Sequence, residues 1–242
     1  MRKLKLFVML IVVSLAIALP VLADDGDVQP GELVINEIMY NPSGDEPETE
    51  WFEVYNSTGG SLDMDGCAFS EESGDTFTIP GGTDLTVASG DYFVFGHTDN
   101  VNYDVDYVYG GGSGTFFGLN NTGSGDILTI ECPDSGGTLQ TIDIVNYDDS
   151  GVWPSGTEGY AISFGVPSSS SGDYASDNDT GGNWGHSTSQ IGTTSDFGTP
   201  GAINDDVLGA NAITLSGLNA LSPFVALSAV MLLAAGLVLL RR

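Results

Sequence analysis

The sequence predicts an all-β domain, a sandwich or a barrel built from many short strands. Three observations carry this. Apolar and polar residues alternate over short runs, the period of a half-buried strand. Turn signals rich in Gly, Pro, Ser and Asp separate the runs. No stretch of the central chain sustains apolar residues at helical spacing.

Leu33–Tyr40 is the first run. In Trp51–Asn56, Phe52 and Val54 share a face with Asn56, and Glu53 points the other way. Thr76–Ile79, Leu85–Ala88, Tyr92–Phe95 and Val105–Tyr109 follow. In Ile127–Cys132, Leu128, Ile130 and Cys132 share one face, and Ile127, Thr129 and Glu131 the other. Thr141–Tyr147 sets Ile142 and Ile144 together, opposite Asp143. Tyr160–Phe164 is the last run. The intervening turns include Thr58-Gly-Gly-Ser61, Pro80-Gly-Gly82, Ser89-Gly-Asp91 and Ser135-Gly-Gly137. Residues 165–199 are poor in apolar anchors and read as a long polar loop region that returns to the core through Trp184. The expected core is Phe52, Val54, Leu128, Ile130, Ile142 and Ile144.

The ends set the compartment. Residues 1–23 have a basic start (Arg2, Lys3, Lys5), the apolar run Leu6–Leu19 and a small residue, Ala23, before Asp24: a signal peptide. Residues 24–32 read as a polar lead-in, 33–204 as the domain and 205–217 as a linker. Residues 218–240 read as a C-terminal transmembrane or sorting segment. Its 20-residue stretch Leu221–Leu240 holds no charge. At ~1.5 Å per residue it reaches about 30 Å, the thickness of the hydrocarbon layer. Arg241-Arg242 form a basic stub that the positive-inside rule keeps in the cytoplasm. The expectation is a plasma-membrane anchor with the domain outside the cell.

The charge is one-sided. All 33 Asp and Glu fall between Asp24 and Asp206, and no Lys or Arg lies between Leu6 and Leu240. Nucleic acid is excluded as a partner, because its binding needs cationic groups to displace counterions. An active-site lysine and arginine phosphate clamps are excluded with it. Such a surface stays soluble and suits high salt, where screening shortens repulsion to about 3 Å at 1 M.

Cys67 and Cys132 are the only thiols. Export permits a disulfide between them, closing a loop of about 65 residues. Two buried free thiols, or a metal site short of histidines, are the alternatives. The antibody-domain pattern fails: no Trp lies between the cysteines, and Ile130 occupies the position where that pattern has Tyr.

An ordered set of segments fits another pattern. Leu33-Val-Ile-Asn-Glu-Ile-Met-Tyr40 precedes Glu50-Trp-Phe-Glu-Val-Tyr-Asn56. Leu62-Asp-Met-Asp-Gly-Cys-Ala-Phe-Ser70, Phe77-Thr-Ile-Pro-Gly-Gly82 and Gly90-Asp-Tyr-Phe-Val-Phe95 follow. Gly125-Asp-Ile-Leu-Thr-Ile130, Ile142-Asp-Ile-Val-Asn-Tyr147 and Thr199-Pro-Gly-Ala-Ile-Asn204 complete it. Residues 33–204 thereby resemble the lamin tail domain, as found in secreted prokaryotic proteins. The resemblance implies an immunoglobulin-like β-sandwich. In eukaryotes the module ends nuclear intermediate-filament proteins, and in prokaryotes it often accompanies secreted hydrolases or nucleases. No rod or catalytic segment is recognised in these residues, so neither role is carried over.

Candidates for chemistry are few, and no catalytic residue is assigned. Glu37, Glu50 and Glu53 form the best carboxylate group for a hydrolase, but they sit in strand motifs and read as surface and register residues. His97 and His186 stand in polar contexts and read as exposed loop histidines. Ser61-x-Asp63-x-Asp65-Gly66 with Glu72 matches most of an EF-hand loop, making Asp63, Asp65 and Glu72 calcium candidates. Asp148-Asp149 and the Asp173–Asp179 stretch are weaker ones. Asn56, Asn120 and Asn178 begin N-glycosylation patterns. The function expected is a non-catalytic, membrane-tethered cell-surface domain, with an extracellular protein or glycan as partner and no cofactor required. The alternative is a calcium-dependent adhesion or carbohydrate-binding module; a secreted hydrolase is the third reading.

Overall fold

The computed structural model describes residues 27–110, 117–121, 125–147, 152–165 and 173–205. The leader, the anchor, the basic stub, Asp148 and Asp149 lie outside these residues. Among the described residues no helix is long and apolar enough to cross a membrane.

The chain is all-β. In order come β1 (Leu33–Met39), β2 (Trp51–Asn56), β3 (Leu62–Asp63), β4 (Ala68–Ser70), β5 (Thr76–Thr78) and β6 (Thr86–Val87). They are followed by β7 (Tyr92–Gly96), β8 (Tyr107–Val108), β9 (Asp126–Pro133), β10 (Leu139–Tyr147), β11 (Ile162–Phe164) and β12 (Trp184–His186). The six-stranded sheet runs β12-β11-β1-β2-β7-β8, the four-stranded sheet β10-β9-β4-β5, and β3 pairs β6 in a small ribbon. Every pairing between these strands is antiparallel except β7 with β8.

The two larger sheets enclose one core. Leu33, Ile35, Phe52, Val54 and Phe95 enter it from one side, and Phe69, Leu128, Ile130 and Val145 from the other. Phe52 stacks on Phe95 at 4.9 Å, and Phe69 bridges across at 4.6 Å from Phe95. Each such aromatic pair adds about 0.5–1.5 kcal/mol to its area burial. The result is a β-sandwich.

Cys67 and Cys132 are disulfide-bonded, 65 residues apart. Ala68 pairs with Glu131, so the bridge joins neighbouring strands of one sheet. It does not pin the two sheets together.

Two bulges decide which residues face inward. In the β1–β2 ladder the register shifts between Ile35 and Glu37, and Asn36 is the extra residue. In the β9–β10 ladder it shifts between Thr141 and Asp143, around Ile142. A one-residue slip reverses every later side chain. Ile142 and Asp143 are therefore both buried, and Ile144 is 43% exposed. This corrects the expectation that Ile144 belongs to the core and Asp143 to the surface.

Within the 165–199 region, the described residues 173–199 are likewise more ordered than a polar loop region. They hold helix α1 (Tyr174–Asp177), a 3-10 turn at Gly181–Asn183 and strand β12. The polar composition supplies caps and ties in place of a hydrophobic stripe. The Asp173 side chain accepts from the Ser176 N–H at 3.3 Å, and Trp184 Nε1 donates to the Asn178 carbonyl at 2.7 Å. Trp184 does return to the core, 5.7 Å from Phe164. The lead-in also joins the fold: Val28 is buried, and the Gly31 N–H donates to the Ile142 carbonyl at 2.8 Å.

The outer face of the six-stranded sheet is covered too. Met39, Trp51, Val94, Ala161 and Ile191 form a second apolar cluster there, with Tyr103 against it. A sheet buried on both faces hides residues that strand alternation alone would assign to solvent.

Candidate functional site

Glu37 and Glu53 are the first such residues. They stand opposite each other on β1 and β2, on the outer face, and both are wholly buried. The Ser163 and Ser187 hydroxyls donate to Glu37 Oε1 at 2.7 and 2.6 Å, and the two hydroxyls also touch each other. The Thr199 N–H donates to Glu37 at 3.1 Å and its hydroxyl at 2.9 Å. Glu53 accepts from Asn36 Nδ2 at 2.8 Å and from the Gly201 N–H at 2.5 Å. Asn204 Nδ2 donates to the carbonyls of Asn36 and Phe164, both at 2.8 Å. The Thr199–Asn204 strap is thus fastened over the pair. Burial raises both carboxyls above the ordinary Glu value; for Glu53 the neighbouring Glu37 adds to it. These are interior fastenings, which corrects their reading as surface acids.

Glu50 is only 4% exposed and has a different neighbourhood. It lines a cavity of about 550 Å³ with Glu46, Pro47, Glu71, Leu119, Asn120 and Asp126. The Leu119 N–H donates to Glu50 Oε2 at 2.7 Å. Burial, opposed by that bond and aided by Glu46, Asp126 and Glu48, pushes Glu50 up to about 8. Asp126 accepts from the backbone of Glu72, Asn120 and Ile127 at 2.7–2.9 Å and from Tyr147 Oη at 3.1 Å. Glu71 accepts from Ser73 and Asp75. The wall is acidic, and much of its accepting capacity is already used by backbone amides. Glu37 and Glu53 are absent from its lining, so the structure does not bring the three glutamates into one cleft.

The calcium candidates are not assembled. Asp65 accepts from Thr83 Oγ1 and the Gly82 N–H, both at 2.5 Å, and its pKa is lowered chiefly by Thr83. It holds the Pro80–Leu85 turn. Asp63 Oδ1 accepts the Asp65 N–H at 2.9 Å. Glu72 lies beyond β4, its N–H given to Asp126. Among the described residues no group of three or more His, Cys, Asp or Glu is placed to hold a metal ion. In the Asp173–Asp179 stretch, Asp173 caps α1.

Asn56 and Asn178 are wholly buried, contrary to the surface placement glycosylation needs. Asn56 Nδ2 donates to the Gly60 and Val87 carbonyls at 2.8 and 2.9 Å. Asn120 is exposed. Neither histidine is fully exposed, which corrects that expectation. The His97 ring meets Tyr109 edge-on at 5.5 Å, and burial lowers its pKa. His186 Nε2 lies 2.6 Å from the Ser155 carbonyl.

The polar residues that sequence reasoning missed are Asn36, Asp143, Asn178, Ser187 and Asn204. Asn36, Asp143 and Asn204 had a signal in their places within the ordered family segments, Asn178 only a glycosylation pattern, and Ser187 none.

The two sheets and their internally fastened carboxylates define a β-sandwich module. The family model of the Lamin Tail Domain matches residues 28–149, and the chain belongs to that family. The match ends before Thr199–Asn204, although the structure seats that motif on β1 and β2. No curated protein matches the chain. Among solved structures, a DUF4876 family protein from Bacteroides thetaiotaomicron is similar at 15% identity, covering 77% of this chain and 75% of that one, with a TM-score of 0.41.

Proposed function

We propose that this chain is an exported, non-catalytic lamin tail domain protein, tethered through Leu221–Leu240 to the outer side of the plasma membrane, where it displays a binding or structural surface. The observation that best supports a non-catalytic role is the fate of the acids. Glu37, Glu53 and Asp126 spend their oxygens on internal donors, whereas a general acid or base must reach substrate. The export reading is supported by the basic-apolar-small leader and by the Lys- and Arg-free interior of the sequence. Mass spectrometry of the protein from washed membranes tests it. The expected product begins at Asp24, retains the segment through Arg242 and carries the Cys67–Cys132 bridge. Recovery from cytosol with residues 1–23 attached and both thiols free would overturn the reading.

The acid-lined cavity favours a second reading, a calcium-dependent adhesion or carbohydrate-binding module. Calorimetry of the full-length chain in detergent, with calcium and then EDTA, separates the two. Heat and a raised melting temperature that EDTA reverses support the module. No heat and no shift remove calcium from the account.

A further inference from the structure

Two buried asparagines hold an oxygen that meets no donor among the described residues. Asn178 Nδ2 donates to the Ile35 carbonyl at 2.9 Å and to Asp143 Oδ2 at 2.8 Å. Its Oδ1 is buried and unpartnered, and so is Oδ1 of Asp143. Turning the amide over would set its oxygen against the Ile35 carbonyl, so its orientation is fixed. The pattern recurs at Asn36. Its Nδ2 donates to Glu53 Oε1 at 2.8 Å, and its Oδ1 is buried and unpartnered. In each case the orphaned carbonyl belongs to an asparagine that already shares one hydrogen bond with a buried carboxyl group. A proton on that carboxyl supplies the missing donor. It also cancels a buried charge that no Lys or Arg between Leu6 and Leu240 is present to balance.

We propose that Asp143 and Glu53 are carboxylic acids in the folded domain, each donating its proton to the side-chain oxygen of its asparagine, and that these two acid–amide pairs form a proton-dependent lock on helix α1 and on the Thr199–Asn204 strap. Asp143 ties the four-stranded sheet to the other through the Ile35 N–H, which donates to Oδ2 at 2.7 Å, and it holds α1 through Asn178. Glu53 holds the strap through Gly201, and Asn36 holds it through Asn204. The groups facing Asp143 include Asp179, and those facing Glu53 include Glu37, Asp106 and the Tyr92 phenol; none brings a positive charge, and the carboxyl neighbours oppose ionisation. Burial acts in the same direction, raising Asp143 to about 7 and Glu53 well above the ordinary value. Glu37, with hydroxyl and amide donors from three residues, is the member of its pair fitted to hold charge. When the pH rises, each proton leaves to solvent, carboxylate oxygen then faces amide oxygen, and the lock loosens.

Asp143→Asn and Glu53→Gln imitate the acid form, because an amide N–H replaces the acid O–H. The full-length chain and both variants are compared in detergent at about pH 5.5 and about pH 9, well below and above the neutral range. Each variant is expected to gain on the wild type as the pH rises, with a larger margin at about pH 9 than at about pH 5.5, because the unfolded carboxyls ionise near about 4 while the folded ones hold their protons. Amide exchange at Ile35 and Gly201 should accelerate in the wild type beyond what hydroxide catalysis gives, and in the corresponding variant it should not. Variants weaker than the wild type by the same margin at both pH values would show ionised carboxylates and overturn the proposal. If a variant does not fold, the wild-type 13C carboxyl resonances decide. Protonated Asp143 and Glu53 at the lower pH, ionising only as the pH passes neutrality, support the lock. Ionised signals at the lower pH overturn it.

Discussion

Glu37 and Glu53 lie directly opposite each other on neighbouring strands, both without solvent exposure, and are covered by a strap that arrives about 150 residues later in the chain. Paired acids on facing strand positions ordinarily repel. Here the burial that raises both pKa values is answered by hydroxyl and amide donors from Ser163, Ser187, Thr199 and Gly201.

Glu37→Ala should therefore destabilise sharply. It strands the hydroxyls of Ser163, Ser187 and Thr199 in a buried space. Breaking a buried charged network costs about 3–5 kcal/mol. Urea unfolding is expected to show a midpoint shift of that order with an unchanged slope. A change under about 0.5 kcal/mol, the ordinary surface range, would mean that the strap does not depend on Glu37.

The disulfide gives a second stability test. Its 65-residue loop corresponds to about 4 kcal/mol of chain-entropy stabilisation. Because the bridge links adjacent strands, reduction should leave the sheets paired but lower the melting temperature. Cys67→Ser/Cys132→Ser should melt with the reduced wild type. Equal melting of oxidised and reduced chains would remove the staple.

Strand existence was legible in the sequence wherever period two ran unbroken. Trp51–Asn56 matches β2 residue for residue, and the Leu128, Ile130, Cys132 face is buried as expected. Three things were not legible. A bulge leaves no compositional mark, so alternation through Thr141–Tyr147 put Ile144 inside and Asp143 outside. A sheet covered on both faces turns the polar half of the alternation into buried residues, as with Glu37 and Glu53. The Ser- and Asn-rich tail folds through side-chain ties such as Trp184 to Asn178, which create no hydrophobic period. The disulfide was legible as one of three readings of the two cysteines, Cys67 and Cys132, and the structure forms it.

The pH dependence of Glu50 has a definite sign. Its carboxyl is raised from 4.5 to about 8. Between those values the unfolded chain has released a proton that the folded chain keeps, so stability falls as pH rises through the window and levels off above it. Glu50→Gln should flatten that part of the curve while retaining an oxygen for the Leu119 N–H. A melting curve of unchanged slope in the variant would show that Glu50 ionises normally.

Salt should stabilise the protein. All 33 acids lie in a stretch with no Lys or Arg, and screening shortens their repulsion from about 10 Å at 0.1 M to about 3 Å at 1 M. The melting temperature of the full-length chain is expected to rise with NaCl from low to molar concentration. A flat response would remove the high-salt reading of the acidic surface.

The bulge in β10 sets Ile142 and Ile144 apart. Ile142 is 3% exposed inside the sandwich, and its carbonyl accepts the Gly31 N–H. Ile144, two residues on, is 43% exposed. Ile142→Ala should cost about 2–4 kcal/mol, the range for emptying a buried aliphatic site. Ile144→Thr keeps the β-branch on a half-exposed face and should stay within about 0.5 kcal/mol of the wild type. Strict alternation without the bulge makes both substitutions costly. Two urea midpoints therefore distinguish the arrangements, and comparable losses at the two positions would place Ile144 back in the core and Asp143 back in solvent.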